Sequence, residues 1–317
     1  MKVIFDTDPG IDDAMALLYL SKLPEVELLG ITTVVGNADI ATTTRNALFL
    51  RREFGISAPV IRGAGETLDG VAKAEPVLVH GQNGLGDIAI PELDETGLQP
   101  GAATQFIIDA VRAHPGEVTI IAVGRMTNLA LALRQAPDIA GLTKAVIIMG
   151  GAFGYEGRGG NITPLAEANI HGDPVAADEI FAAAWPVTVV GLDVTHDIIL
   201  DNDYLALLAD EAGENGDLLR QMCGHYARFY QQVMGLSGVV GHDLLAVTYA
   251  LHPEWFTVRR GAIAVVRDGL AVGQTAFWPE ERGGVHSAWE GRPGQTICVG
   301  VDGPNVLEHF RSIVRRP

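Results

Sequence analysis

Cysteine is almost missing from this chain of 317 residues: Cys223 and Cys298 stand alone, with no CxxC and no Cys/His ligand spacing. That scarcity excludes a disulfide framework, gives no sign of a zinc site, and leaves both thiols as packed small hydrophobes. Long apolar runs are missing too. None reaches the roughly 18 residues of a membrane span, and Met1-Lys2 leads directly into a strand-like run without the apolar core and small-residue cleavage site of a secretory signal. No membrane partner and a cytoplasmic location are therefore expected. Positive charge is scarce as well, with 22 Lys and Arg against 39 Asp and Glu and a formal net charge of −17. Nucleic-acid binders carry basic patches that displace counterions from phosphates, so no nucleic-acid partner is expected, whereas a neutral small molecule or a metal ion suits this balance. No Pro- or Ser-rich linker, internal repeat or low-complexity segment divides the chain, which reads as a single domain over residues 1–317.

What is present concentrates at the amino terminus, where Val3-Ile4-Phe5 runs into Asp6-Thr7-Asp8-Pro9-Gly10-Ile11-Asp12-Asp13-Ala14. An apolar run stopped by Asp-Pro-Gly and followed by Met15, Leu17 and Leu18 is a strand, a tight turn and a helix. Asp8 then sits at a strand's carboxyl end, where open α/β sheets bind ligands, and Asp12 and Asp13 start the next helix beside its positive dipole end. Either of the latter, taken alone, is explained by helix capping. Capping does not explain Asp6 and Asp8 as well. Carboxylates brought into contact repel by roughly 4 kcal/mol per pair at a surface dielectric, so a hard divalent cation or a shared proton should hold them.

Strand-like runs recur at 26–35, 118–123, 145–149 and 187–192, separated by amphipathic segments at 41–54 and 129–135. This alternation predicts an α/β fold: an open, mainly parallel, Rossmann-like sheet covered by helices. Extra carboxyl-terminal helices at 217–234 and 242–251, and a hairpin near 262–266 and 271–277, read as appendages. Several strands end in polar signatures, Gly36-Asn37, Gly124-Arg125-Met126-Thr127-Asn128 and Gly150-Gly151, which should line one crevice. The glycine-rich stretch 150–160, too long for a mere connector, reads as a substrate-covering loop.

The opening motif resembles that of the nucleoside hydrolases, the inosine-uridine-preferring family, whose signature is Asp-x-Asp-Pro-Gly-x-Asp-Asp. Matching segments follow in order: Val34-Val35-Gly36-Asn37, Met126-Thr127-Asn128-Leu129-Ala130, Met149-Gly150-Gly151, Asn161 to Asn169, Asp193-Val194-Thr195-His196 and His242-Asp243. The resemblance implies hydrolysis of the N-glycosidic bond of a small-molecule ribonucleoside to ribose and free base. It implies a calcium ion (Ca2+) on Asp8, Asp13, the Thr127 carbonyl and Asp243, with water and two ribose hydroxyls completing its shell; an all-oxygen donor set suits calcium, and magnesium gives up its waters less readily. It further implies Asp8 as general base for the attacking water, Asp12 and Asn37 on the ribose 2′ and 3′ hydroxyls, Asn161, Glu167 and Asn169 on the 5′ and 3′ hydroxyls, and Met149 beneath the sugar. Water would displace the base directly, with inversion. His242 becomes the acid for the departing base, since histidine titrates near working pH. His80 is a substrate contact by the same resemblance, against a solvated loop histidine as the plain alternative. Relatives are commonly homodimers or homotetramers, which sets the expectation for assembly.

The chain also departs from the family. Ala168 stands where many relatives carry an aromatic residue, giving the pocket a smaller wall. Arg125 replaces an uncharged residue and is expected to pair with an acidic group at the surface. Trp278 and Trp289 are expected in the core rather than stacked on a base. Tyr226 and Tyr230, one helical turn apart, fit base contact and packing equally. Two other functions compete. A haloacid-dehalogenase-type phosphatase also opens with Asp-x-Asp, but wants Thr or Val where Gly10 stands, and leaves Asn161, Glu167 and Asn169 without a role. A catalytically silent calcium-dependent nucleoside or ribose sensor would keep the fold and lose turnover, yet no proposed ligand or base is missing.

Overall fold

The computed structural model describes residues 1–70, 76–283 and 289–316. Its strands are β1 (Lys2–Thr7), β2 (Glu27–Thr33), β3 (Val60–Ile61), β4 (Leu98–Gln99), β5 (Val118–Ala122), β6 (Ala145–Met149), β7 (Val187–Val190), β8 (Ile199–Asp201), β9 (Gly238–Val240), β10 (Phe256–Val265), β11 (Thr275–Pro279) and β12 (Gln295–Val301). The helices are α1 (Ile11–Ser21), α2 (Ile40–Glu53), α3 (Val77–His80), α4 (Ala103–Ala113), α5 (Thr127–Gln135), α6 (Ile139–Leu142), α7 (Ala168–Gly172), α8 (Pro174–Ala182), α9 (Leu192–Thr195), α10 (Asn202–Met234), α11 (Leu244–Leu251) and α12 (Gly303–Val314). Ten strands form one sheet in the order β11-β10-β12-β7-β6-β5-β1-β2-β3-β4. It is parallel from β12 through β4, and β10 joins β11 and β12 antiparallel. This is the predicted α/β sheet with its appended hairpin.

Alternation along the central strands divides the core into two layers. Ile4, Ile120, Val146 and Ile148 point to one face and pack with Ile107, Leu129 and Ile180 of α4, α5 and α8. Val3, Phe5, Ile121 and Ile147 point to the other and meet Met15 of α1, Leu245 of α11 and Phe310 of α12. A strand covered on both sides is apolar at nearly every position, which is why 145–149 could be read from letters alone. Each buried Ile or Leu contributes roughly 1.5–3 kcal/mol, so this sandwich supplies the rigidity that the site borrows. The expected helix at 217–234 is the second half of α10, whose dihedrals break at Gly213 (φ 57°, ψ −136°). Among the described residues no helix is long and apolar enough to cross a membrane.

Because β7, β6, β5, β1 and β2 are neighbours, their carboxyl ends deliver Asp193 to His196, Met149 to Gly151, Val123 to Thr127, Asp8, and Gly36 with Asn37 to one crevice. Beneath it, Asp6 accepts hydrogen bonds from Thr32 Oγ1 and from Asn128 Nδ2. Asn128 also donates to Thr33 O at 2.9 Å and accepts from Ala64 N at 2.8 Å. The first of the four clustered acidic residues thus ties β1, β2 and α5 together below the cavity.

Candidate active site

Asp8 follows the last residue of β1 and is 2 % exposed. Its Oδ2 accepts from the Asn37 backbone amide at 2.7 Å, while Oδ1 is buried with no hydrogen-bond partner among the described residues. Two glycines make room for the carboxylate: a Cβ at Gly36 would lie 1.8 Å from Oδ2, and one at Gly124 2.6 Å from Oδ1. Gly10 caps α1 and Asp13 takes its amide at 2.8 Å, so part of the capping explanation holds for Asp13. Asp13 also accepts from Thr7 Oγ1 and, at 3.1 Å, from Asn37 Nδ2. Asn37 thereby bridges Asp8 and Asp13.

Asp12, Asp13 and Asp243 each bring one carboxylate oxygen within 4.8 Å of the others, and all three are buried. Asp8 adjoins this trio through Asn37 rather than belonging to it. Burial, and then the negative charge of its neighbours, pushes Asp8, Asp12 and Asp243 well above the usual carboxylate range; burial raises Asp13, against its hydrogen bond from Thr7. A divalent cation would relieve that repulsion, and the donors are all hard oxygens, with one orphaned oxygen on Asp8 to spare. The residues present fit such an ion. Thr127, at the start of α5, is buried, and its hydroxyl donates to Asp173 Oδ2 at 2.7 Å.

Arg125 corrects an expectation. It is 8 % exposed rather than paired at the surface, because the end of β5 runs inward beneath α7, where Gly172 leaves space for its side chain: a Cβ there would lie 2.5 Å from Nε. Burial lowers its pKa, and Asp8, Asp173 and Asp69 act in the opposite sense. Its positive charge in turn favours ionised Asp8.

Glu167 caps the short α7, accepting from Asn169 N and Ile170 N at 2.9 and 3.1 Å and from Gly151 N at 3.0 Å. Asn169 Nδ2 donates to Val123 O at 2.7 Å and to Met149 O at 3.2 Å, fixing it between the ends of β5 and β6. Asn161 is exposed at the rim, its Oδ1 accepting from Ala168 N at 2.9 Å. Asp12, Asn37, Met149, Asn161, Glu167 and Asn169 all line one cavity of about 360 Å³, together with His80, His242 and Asp243. The glycine-rich stretch before Asn161 is mostly pinned elsewhere. Asp193 takes the amides of Phe153 and Tyr155 at 2.8 and 2.7 Å, Thr275 brackets Ala152, and Arg158 pairs with Asp197, so within 150–160 only Gly160 lines the cavity.

The opposite wall comes from α10. Tyr226, Phe229, Tyr230, Val233 and Met234 line the cavity at helical spacing, on one face. That periodicity was available in the sequence beyond the two tyrosines; which way the face points was not. Tyr226 Oη lies 3.1 Å from Tyr230 Oη, Tyr230 Oη 2.8 Å from His242 Nε2, and His242 Nδ1 2.8 Å from Thr195 Oγ1. Both nitrogens of His242 are engaged, and burial pushes its pKa well below the usual imidazole value. His80 is buried, not solvated: its Nδ1 accepts from Ile11 N at 3.3 Å, its ring lies 5.4 Å from that of Tyr226, and burial lowers its pKa to about 3. His196, quoted only within a matching segment, also lines the cavity.

Trp278 and Trp289 are not in the core. They are half-buried with ring centroids 6.0 Å apart and Arg282 over Trp278, because β11 is the edge strand of the sheet; neither lines the cavity. Cys223 and Cys298 are buried free thiols.

A family model described as inosine-uridine preferring nucleoside hydrolase matches residues 3–308. The chain is 38 % identical to uridine nucleosidase 1 of Arabidopsis thaliana, over all of this chain and 94 % of that one. It is 36 % identical to the inosine-uridine preferring nucleoside hydrolase of Crithidia fasciculata, over 86 % of each. Among solved structures, a plant nucleoside hydrolase superposes with a TM-score of 0.94 at 35 % identity, covering 100 % of this chain and 99 % of its own. A purine-preferring ribonucleoside hydrolase from Gardnerella vaginalis gives 0.90 at 32 % identity, covering 99 % and 98 %.

Proposed function

Because the chain belongs to the inosine-uridine preferring nucleoside hydrolase family and is an enzyme of that kind, we propose that it hydrolyses ribonucleosides with Asp8 as base, a calcium ion in the acidic cluster, and a Tyr-Tyr-His chain at the departing base. The observation that carries this reading is the convergence in one cavity of buried carboxylates, sugar-binding amides and that chain. Asp8, Asp13, Asp243 and the Thr127 carbonyl hold the cation. When bound, such an ion supplies positive charge that makes a neighbouring water more acidic.

Asp12 and Asn37 grip the ribose 2′ and 3′ hydroxyls, and Asn161, Glu167 and Asn169 the 5′ and 3′ hydroxyls, with Met149 under the ring. Held this way, the sugar presents C1′ to a water near Asp8, and Asp8 takes that water's proton as the C–O bond forms. The C1′–N bond breaks with its electron pair leaving on the base. His242, neutral because it is buried, donates from Nε2 to Tyr230 in one orientation of the chain, Tyr230 to Tyr226, and Tyr226 presents its hydroxyl proton to the cavity. Burial raises both tyrosines, so neither gives up its proton to solvent at neutral pH.

Reducing-sugar release from inosine, uridine, adenosine, cytidine and 2′-deoxyinosine, with and without prior chelation, tests the reading. Metal-dependent ribose release, with 2′-deoxyinosine much slower, is expected. Tight nucleoside binding without any release would replace the enzyme by a sensor. An Asp8→Asn protein that hydrolyses at the wild-type rate would remove the assigned base.

A further inference from the structure

Three imidazoles border the cavity, and two already have partners. His242 uses both nitrogens, and His80 uses Nδ1. The His196 backbone amide donates to Val194 O, but its side chain makes no hydrogen bond with any of the described residues, although its ring is half-buried and lines the same cavity, edge-to-face with His242 at a centroid distance of 5.5 Å. Its backbone is held on both sides. Thr195 before it is buried against His242, Asp197 after it pairs with Arg158, and Asp193 anchors two amides of the glycine-rich stretch. A backbone anchored this way, with the ring packed edge-to-face on His242, fixes where the imidazole enters the cavity and makes it a preorganised polar group.

We infer that His196 is a catalytic residue for the leaving group, donating an N–H hydrogen bond to an exocyclic oxygen of the departing base. The inference rests on the proposed nucleoside hydrolysis. His196 flanks His242, which Tyr230 ties to the α10 wall of the cavity. As C1′–N breaks, the electron pair stays with the base and spreads onto its ring nitrogens and carbonyl oxygens, so a donor there is stronger in the transition state than in the bound substrate. Burial and the nearby Arg158 charge keep the imidazole neutral, with one N–H to give. Uracil and hypoxanthine offer the matching oxygen. No proton is transferred by His196 itself: the water's proton goes to Asp8, and the base leaves as an anion that accepts hydrogen bonds from Tyr226 and His196 and takes its proton from solvent on release.

Two substrates separate this role from packing against His242: inosine or uridine, and 4-nitrophenyl β-D-ribofuranoside, whose nitrophenolate departs without help. In His196→Phe the ratio of kcat on the nucleoside to kcat on the nitrophenyl riboside falls about 100-fold, the lower end of the range for losing one oriented donor. His196→Gln, which keeps an N–H, restores at least part of that ratio. An unchanged ratio in His196→Phe, an equal loss on both substrates, or a His196→Gln no better than the phenylalanine variant overturns the inference and leaves nucleoside hydrolysis standing. A wild-type protein inert toward every riboside overturns the reaction itself, and the role of His196 with it.

Discussion

Tyr230 Oη stands 2.8 Å from Nε2 of His242, and this contact turns a buried, neutral imidazole into the inner end of a chain that surfaces at Tyr226. In the proposed reaction the histidine need not reach the base; it has only to polarise the hydroxyl that does.

Tyr230→Phe breaks the chain while preserving the ring that packs against Tyr226 and Phe229. Its kcat for nucleosides should fall about 100-fold, the lower end for a positioned proton donor, with melting temperature little changed. Since burial holds the His242 pKa well below 6.5, its ring signals should not titrate between pH 6 and 8 in NMR spectra. A titration midpoint near 6.5 would return His242 to the role of a direct acid.

Asp8 is held as much by what is missing around it as by its hydrogen bond. Gly124→Ala puts a methyl 2.6 Å from Oδ1 and 2.9 Å from Val34 Cγ1, so the carboxylate must rotate away from its position beside Asn37. Activity should drop at least about 100-fold, as misplacing a reacting group by an ångström does, while far-UV circular dichroism stays that of wild type. Near-normal turnover would mean that the position of Asp8 is unimportant.

Much of this was legible because it is local. The apolar letters of 145–149 are a strand covered on both faces, and Asp8-Pro9-Gly10 stops one element and starts another within three residues. Strand ends carrying Gly-Asn and Thr-Asn signatures converge because parallel β-α connections return every strand in the same direction. Arg125 was misread because its burial depends on Gly172 and Asp173, which belong to a different strand-helix unit. Trp278 and Trp289 were misread because an apolar ring does not reveal which strand lies at the edge of the sheet. His196 gave no local sign at all; its meaning comes from His242, reached only through folding.

Asp6 should behave as a pH-sensitive element of stability, separate from catalysis. Burial raises its pKa from 3.8 to about 7, against the hydrogen bonds from Thr32 and Asn128, and Oδ2 has no partner among the described residues. A carboxyl whose folded pKa is raised contributes stability that is complete below the unfolded value and is lost as pH climbs toward 7. Asp6→Asn keeps Oδ1 as acceptor and imitates the protonated form. Relative to wild type, its stability should rise between pH 5 and pH 8, read as melting temperature, with a ceiling of about 2.7 kcal/mol for the two pH units up to a folded pKa of about 7. A constant difference across that range would mean that Asp6 is ionised in the folded protein.

The acidic cluster predicts an opposite response to pH in the presence of calcium. Asp8, Asp12, Asp13 and Asp243 all have raised folded pKa values, so in chelated protein they favour the folded state at low pH and withdraw that support as pH rises above the ordinary carboxylate range. A divalent cation binds the ionised forms and offsets their repulsion, and its binding should release protons. The melting-temperature gap between calcium-loaded and chelated protein should therefore widen from pH 5 to pH 8, approaching about 2.7 kcal/mol when calcium stands at 100 times its Kd. Asp13→Asn should shrink that gap at pH 8 more than at pH 5, because it removes a charge needed only once the cluster is ionised. A gap that stays constant, or narrows with rising pH, would mean that no cation is held by Asp8, Asp13 and Asp243, and chelation should then leave ribose release untouched.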